Sequence, residues 1–233
     1  MRPRTSLRAP WAVAALVCGA LAGCGSSSSG NGVASKSAAQ IIAAARSAAL
    51  SASAVHVSGK ITSGGSPITL DLDLIAPRGG RGTLTDNGLG FELIQIGGTV
   101  YIKGSAAFYT RIAGPTAAQL LQGRWLKAPT SSGQFSSIAS LTDLNKLLNA
   151  DLPDPRHLTK GKSAKLGGTP AIAVTDTAKG ETVFVATRGR PYPLQLLKSG
   201  KGGGQISLDR WNERVSLSAP ADSIDITRLR SGR

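Results

Sequence analysis

Two neighbouring stretches of the chain alternate between apolar and polar side chains. Apolar residues recur at every second position over 55–61, with Gly59 taking one of those positions, and again over 68–74. The Gly64-Gly65 pair lies between the two stretches. A period of two is that of a β-strand with one apolar face. We therefore expect two antiparallel strands that bury one face and leave the other face in water.

Strand-like patterns recur on both sides of a helical centre. Before it, the Gly97-Gly98 pair joins two of them, as in a two-residue hairpin turn. Glycine or charged turns separate most of the others at the spacing typical of an antiparallel meander. The further strands are predicted at 81–85, 90–96, 99–103, 157–166, 170–176, 181–188, 193–198, 205–211 and 214–217, with 123–129 as a short strand or an extended loop.

Helical patterns of three- and four-residue spacing occur in three places. The first spans 37–49, has a face of small alanines, and has Ser35 or Ser37 as its N-cap. The second begins near Pro115, and the third carries an apolar stripe over 138–149. This order of elements fits an α+β fold in which one curved antiparallel sheet carries a few helices across its concave face.

The N-terminal segment has the parts of a bacterial export signal in order. Three arginines come first, an apolar stretch follows over 11–22, and the tetrapeptide Leu21-Ala22-Gly23-Cys24 closes the segment. The apolar stretch is shorter than the about 20 residues that a transmembrane helix needs. The tetrapeptide resembles the lipobox of bacterial lipoproteins, which implies that a diacylglyceryl group is attached to the Cys24 thiol and that the chain is cleaved before it. A secreted protein with an incidental cysteine is the alternative.

This interpretation divides the chain into a signal peptide at 1–23, a lipidated Cys24 with a flexible tether at 24–37, and one domain at 38–233. The tether is rich in glycine and serine, and a flexible segment of this length reaches roughly 20 Å on average. Beyond Cys24 the chain contains no cysteine, so the domain is predicted to fold without disulfides. At this length it can bury a sizeable hydrophobic core.

The chain is strongly basic, with a formal net charge of +14 at pH 7. Removal of the three arginines of the signal, which contains no acidic residue, leaves +11 on the remainder. Such an excess favours contact with anionic lipid head groups, to which each basic residue near the surface contributes about 1 kcal/mol. Because an exported protein does not meet cytoplasmic nucleic acid, we predict a membrane partner and no nucleic-acid partner.

Residues suited to catalysis or metal binding are sparse. His56 and His157 are the two histidines, and the chain has no Gly-x-Ser-x-Gly motif. Gly161-Lys162-Ser163 imitates the end of a phosphate loop, but Arg156 stands where that loop has glycine. Each histidine is predicted to be an exposed polar residue. We therefore predict no catalytic residue, no metal site, no cofactor and no enzymatic activity.

Several short patterns are distributed over most of the chain after the signal. They are the Leu21-Ala22-Gly23-Cys24 tetrapeptide, the alanine-rich first helix, Ala54-Val55-His56-Val57-Ser58-Gly59, Gly98-Thr99-Val100-Tyr101-Ile102-Lys103 followed by Phe108-Tyr109, Gly123-Arg124-Trp125-Leu126, and Val215-Ser216-Leu217-Ser218-Ala219-Pro220. Together they resemble the LppX/LprA/LprF/LprG family of actinobacterial lipoproteins and, more distantly, the LolA-like lipoprotein-carrier fold. The resemblance implies a half-barrel sheet wrapped around helices, with an apolar cavity that binds acylated lipids or glycolipids for passage through the cell envelope.

Aliphatic residues dominate the predicted inner face of the sheet and the helices that cover it. Such an interior either closes into a dry core or leaves a slot for hydrocarbon, and an acyl chain gains about 0.8 kcal/mol for each CH₂ that it buries. The phase of the strands and helices assigns the following lining residues: Val55, Val57, Ile61, Leu70, Leu72, Leu74, Leu93, Val100, Ile102, Leu120, Leu121, Ile138, Leu141, Leu144 and Leu148.

The leading hypothesis is a carrier that Cys24 anchors to the outer face of the cytoplasmic membrane. It would hold an acylated lipid or glycolipid, with a membrane transporter as a candidate partner. A ligand-free LolA-like sensor or envelope assembly partner is the second hypothesis, and a filled interior would favour it. An envelope hydrolase is the third, and it needs a histidine or carboxylate in a cleft beside a serine.

Overall fold

The computed structural model describes residues 30–153, 157–200 and 202–227. The predicted signal peptide and Cys24 lie outside these residues. Besides one turn of 3₁₀ helix, the described chain contains four α-helices: α1 (Ala38–Leu50), α2 (Ala106–Leu121), α3 (Gly133–Ser140) and α4 (Leu144–Asp151). No helix of the described residues has both the length and the apolar character needed to cross a membrane.

The strands of the described residues form one open, curved sheet, which confirms the α+β class. In chain order they are β1 (Ala54–Ser63), β2 (Ser66–Ile75), β3 (Gly79–Asp86), β4 (Leu89–Ile96), β5 (Thr99–Gly104), β6 (Trp125–Pro129), β7 (Leu158–Leu166), β8 (Thr169–Asp176), β9 (Glu181–Ala186), β10 (Pro193–Lys198), β11 (Gly204–Asp209) and β12 (Ser223–Asp225). Their order across the sheet is β12-β6-β5-β4-β3-β2-β1-β11-β10-β9-β8-β7.

Apolar and polar positions alternate along the central strands as the sequence predicts. Val57 of β1 lies opposite Leu72 of β2 and Leu208 of β11, and all three side chains are buried. His56, the neighbour of Val57 on the chain, pairs with aspartates on the opposite face of the sheet. Burial of one face sets the register, because a slip of one residue would move every apolar side chain into water.

Helix α1 covers the apolar face of the sheet with small side chains. Ile41, Ala45 and Ala49 are fully buried, and the alanines let the helix approach the strands closely. Of the two predicted caps, the structure uses Ser37. Its Oγ accepts a hydrogen bond from the Gln40 amide at 3.4 Å, and the Gln40 Oε1 accepts one from the Ser37 amide at 3.1 Å. This reciprocal pair is a capping box.

Helix α2 begins at Ala106 rather than near Pro115. The Ser105 hydroxyl caps it by accepting a hydrogen bond from the Phe108 amide at 3.1 Å. Gly114, with φ of 84°, breaks the helical backbone in the middle, and Pro115 starts the second half. The sequence prediction found only that second half, because proline in a first helical turn is a strong start signal.

The single third helix predicted over 138–149 is wrong. The structure has α3 and α4 there, with a break at 141–143. Asp143 is the physical reason, since its carbonyl accepts a hydrogen bond from the Leu147 amide at 3.0 Å and its carboxylate accepts one from the Lys146 amide at 3.1 Å. An aspartate in this position caps a new helix and interrupts the apolar stripe.

The strand predicted at 214–217 is also wrong, and the sheet is mixed rather than purely antiparallel. Strand β11 already lies between β1 and β10, so the chain after it finds no free neighbour there. It continues to the free edge at β6, where β12 pairs in parallel and Ile224 lies opposite Leu126. Sequence periodicity does not reveal which edges of a sheet are already occupied.

The folded body begins earlier than the predicted boundary between tether and domain. Val33 is 2% exposed and belongs to the main hydrophobic core. Asn31 donates hydrogen bonds from its backbone amide to the Thr187 carbonyl at 2.8 Å and from its side chain to the Ala186 carbonyl at 3.0 Å. Residues 31–37 therefore lie on the body of the domain.

Candidate functional site

A cavity of about 440 Å³ lies between one end of the sheet and the α3–α4 region. This volume falls within the roughly 300–1,000 Å³ typical of small-molecule pockets. The cavity is lined by five strands, by the β10–β11 turn and by the helical segment: Ile61, Thr62, Leu70, Ser140, Leu141, Lys146, Leu147, Glu181, Thr182, Val183, Leu196, Leu197, Lys198, Gly202, Gly203, Gly204 and Ile206.

The floor of the cavity is a row of aliphatic side chains on neighbouring strands. Leu196 of β10 lies opposite Val183 of β9 and Ile206 of β11. The row continues through Gly59 of β1 to Leu70 of β2. These residues share one face because cross-strand partners in an antiparallel sheet point the same way. The strand register therefore gathers apolar groups from distant parts of the chain.

The opposite wall comes from the break between α3 and α4. Leu141, which is 36% exposed, lies in that break, and Leu147 lies in the second turn of α4. Leu147 also packs against the main core. The apolar residues predicted for one continuous helix are thus divided between two short helices, and the segment that joins these helices borders the cavity.

Charged groups stand beside the aliphatic floor. The next row across the strands carries Glu181 and Lys198, whose Oε1 and Nζ atoms are 2.9 Å apart. On the helical side, the Lys146 Nζ is 3.5 Å from the Asp143 carboxylate. An apolar floor with a charged border suits a ligand that has a hydrocarbon part and a polar end.

Three of the predicted lining residues border this cavity, namely Ile61, Leu70 and Leu141. Most of the others belong to the main hydrophobic core and do not border this cavity: Val55, Val57, Leu72, Leu74, Leu93, Val100 and Ile102. Strand phase alone assigned them to an inner face, and close packing with α1 and α4 fills the space above that face.

The remaining predicted lining residues lie on helices. Leu144 is buried in the core beside a separate cavity of about 140 Å³. Leu121 packs in a small second core, whereas Leu120 is 73% exposed, because consecutive helical residues point in directions about 100° apart. The side chains of Ile138 and Leu148 lie outside what the structure describes.

Most of the residues that form the cavity floor were not predicted from the sequence as lining residues. Val183, Leu196 and Ile206 lie on strands that were predicted, and the period of two places them on an apolar face. The missing information was the pairing of β1 with β11, which brings this C-terminal group beside Leu70. That pairing joins residues about 150 positions apart, and no local signal marks it.

His56 lies on the opposite face of the sheet, away from the cavity. Its Nδ1 is 2.8 Å from Asp209 Oδ1 and its Nε2 is 3.1 Å from Asp71 Oδ1, with 13% of the side chain exposed. With a carboxylate at each ring nitrogen, His56 links its own strand β1 to β2 on one side and to β11 on the other. Within the described ranges, no three His, Cys, Asp or Glu side chains come together as a metal site.

The fold is similar to that of several solved structures, two of which are LprF and LppX. LprF from Mycobacterium bovis superposes with a TM-score of 0.56 at 15% sequence identity, over 79% of this chain and 97% of LprF. The lipoprotein LppX from Mycobacterium tuberculosis gives a TM-score of 0.50 at 19% identity, over 78% of this chain and 98% of LppX. The chain has the LprF and LppX fold.

The resemblance seen in the sequence is thus confirmed at the level of the fold. LprF and LppX are matched over nearly their whole length. No protein-family model matches the chain, and no curated protein matches its sequence.

Proposed function

We propose that this protein is a non-enzymatic, lipid-anchored carrier that binds an acylated lipid or glycolipid in the cavity between the sheet and α3–α4. The observation that carries the proposal is the aliphatic floor of Val183, Leu196, Ile206 and Leu70 beneath a space of about 440 Å³. A space of this kind is favourable for hydrocarbon, since each buried CH₂ contributes about 0.8 kcal/mol.

The volume sets the size of the bound part. The cavity of about 440 Å³ lies in the lower half of the range of about 300–1,000 Å³ for small-molecule pockets, so it is sized for part of a lipid, such as one acyl chain. Other chains and the head group of a larger lipid would extend past the border formed by Glu181 and Lys198.

The anchor part of the proposal rests on the lipobox-like tetrapeptide that ends at Cys24. A lipid on that cysteine would hold the domain at the outer face of the cytoplasmic membrane, where acylated lipids are available. The formal charge of +11 on the chain after residue 23 would favour that surface further. A membrane transporter remains the candidate partner for delivery.

The proposal that this protein is not an enzyme rests on how its polar groups are paired. At the border of the cavity, Glu181 pairs with Lys198 and Asp143 pairs with Lys146. His56 is engaged by two carboxylates on the other face of the sheet. None of these groups forms the nucleophile–base hydrogen bond that covalent hydrolysis requires.

A titration with a fluorescent long-chain fatty acid tests the proposal. We expect saturable uptake of one probe per protein by the wild type. Leu196→Trp fills the floor of the cavity, so it should weaken uptake by about tenfold or more. Leu50→Trp, at an exposed position on α1, is the matched control and should bind like the wild type.

Two results would count against the carrier. Uptake that is equal in Leu196→Trp and the wild type would place the probe elsewhere. Complete lack of uptake, together with a protein partner recovered by crosslinking, would support the ligand-free sensor or assembly partner instead.

A further inference from the structure

Helix α2 leaves an aliphatic surface exposed. Ile112 is 52% exposed and Leu120 is 73% exposed, and they lie on the two halves of the helix that meet at Gly114. They are among the most exposed large hydrophobic residues of the described chain. Two large aliphatic side chains exposed on one helical segment mark a surface that a partner can cover.

The buried residues of α2 are held in place by packing and by hydrogen bonds. Tyr109 is fully buried, and its hydroxyl accepts a hydrogen bond from the Gly104 amide at 2.9 Å and donates one to the Arg124 carbonyl at 3.0 Å. Ala118 and Leu126 complete the small second core under α2. The other side of the helix is thus already packed, and the exposed aliphatic groups are not needed for that core.

The register of the sheet places the start of α2 at the same end of the strands as the cavity. The row that forms the cavity floor runs on from Leu70 through Leu84 and Phe91 to Gly104, the last residue of β5. Phe108, in the first turn of α2, stacks on Phe91 with ring centroids 5.0 Å apart. The exposed helix and the cavity therefore lie at the same end of the sheet, with β3 and β4 between their strands.

The charged residues on α2 and in the segment directly after it are all basic. They are Arg111, Arg124 and Lys127, whereas Lys103, which precedes α2, pairs with Glu92. Arg111 and Arg124 are exposed on α2 and directly after it. Basic side chains beside exposed aliphatic groups are typical of helices that lie in the interface of an anionic membrane.

We propose that the exposed surface of α2, which carries Ile112 and Leu120 with Arg111 and Arg124 close to them in the chain, binds an anionic lipid surface. The aliphatic groups enter the boundary between head groups and acyl chains, and the arginines pair with phosphates. A role of this contact in bringing the cavity to the bilayer rests on the proposed carrier function. The binding of α2 to an anionic lipid surface does not depend on that function.

Site-specific fluorescence tests the proposal on the full chain. Cys18→Ser and Cys24→Ser remove both native thiols, and a single cysteine introduced as Ile112→Cys or Leu120→Cys is labelled with an environment-sensitive dye. Leu50→Cys is the matched control, because Leu50 is also an exposed leucine but precedes β1, at the other end of the strands. The first 29 residues are the same in all three proteins.

Vesicles of phosphatidylglycerol and of phosphatidylcholine are then added. We expect the emission at 112 and 120 to move to shorter wavelength with phosphatidylglycerol and not with phosphatidylcholine, while the emission at 50 stays constant. Arg111→Gln with Arg124→Gln should weaken the response to phosphatidylglycerol by about tenfold or more, since each basic residue contributes on the order of a few-fold in affinity. The Arg111 and Arg124 side chains are exposed, so their substitution leaves the second core intact.

Three results would overturn the proposal. One is a label at 112 or 120 that responds no more than the label at 50. Another is an equal response to both vesicle types, which would remove the role of charge. The third is a shift that appears without vesicles and grows with protein concentration, which would assign this face to contact between two copies. Fatty-acid uptake in the same proteins is scored separately, so loss of docking and loss of carrier function remain distinguishable.

Discussion

Tyr109 shows how one buried polar group fixes a helix to a sheet. Its ring packs in the second core, and its hydroxyl satisfies two backbone groups, one at the end of β5 and one after α2. A buried hydroxyl in this position is favourable because both partners would otherwise lack a hydrogen bond. In the sequence, Phe108-Tyr109 belongs to the pattern that resembles the lipoprotein family, but nothing there indicates that Tyr109 connects the end of β5 with the segment after α2.

The titration of Tyr109 gives a prediction with a definite sign. Burial raises the pKa of its hydroxyl above the ordinary value, and the Gly104 hydrogen bond and the Lys103 charge oppose this. Above about pH 10 the unfolded chain releases this proton while the folded chain keeps it, so the free energy of unfolding falls as pH rises. The difference in unfolding free energy between wild type and Tyr109→Phe should therefore move in favour of the phenylalanine variant above about pH 10.

Urea unfolding of both proteins at neutral and alkaline pH measures this difference. Lysines and the other tyrosines titrate in both proteins, so their contribution cancels in the comparison. A difference that stays constant through the alkaline range would contradict the burial of the Tyr109 hydroxyl.

Single elements were predictable where local chemistry decides them. The hairpin at Gly97-Gly98 and the capped start of α1 follow from residues next to one another, and the structure has both. The sequence failed at α2 and at the α3–α4 break, where Gly114 and Asp143 interrupt a helical pattern. These interruptions shape both the exposed face of α2 and the helical wall of the cavity.

Strand pairing beside the cavity depends on Gly59. A Cβ atom at this position would overlap the Gln205 carbonyl oxygen of β11, so any side chain forces β1 and β11 apart. We expect Gly59→Ala to lower the free energy of unfolding by about 1–3 kcal/mol and to weaken fatty-acid uptake. Gly98→Ala is the matched control, since its Cβ would meet no atom within 4 Å. Equal stability of the two variants in urea would contradict the close pairing.

At the scale of the whole molecule, the sequence predicted the class of fold but not the location of the cavity. Alternation in each strand defines an apolar face, and the α+β class follows from the order of elements. The pairing of β1 with β11 and the docking of β12 on β6 join distant residues, so they depend on which strand edges are free. Ile61, Leu70 and Leu141 were predicted as lining residues and do border the cavity. Val183, Leu196 and Ile206 border it as well, but they were not predicted, because the strand pairing that brings them there is not visible in the sequence.

The proposed carrier function depends on a hydrocarbon chain in the space between the sheet and α3–α4. Native mass spectrometry of the protein, purified from cells in mild detergent, detects such a ligand by its mass. We expect a bound acylated lipid on the wild type and on Leu50→Trp, and none on Leu196→Trp. A wild-type protein with no added mass, or a lipid retained equally by Leu196→Trp, would show that the cavity does not hold the lipid.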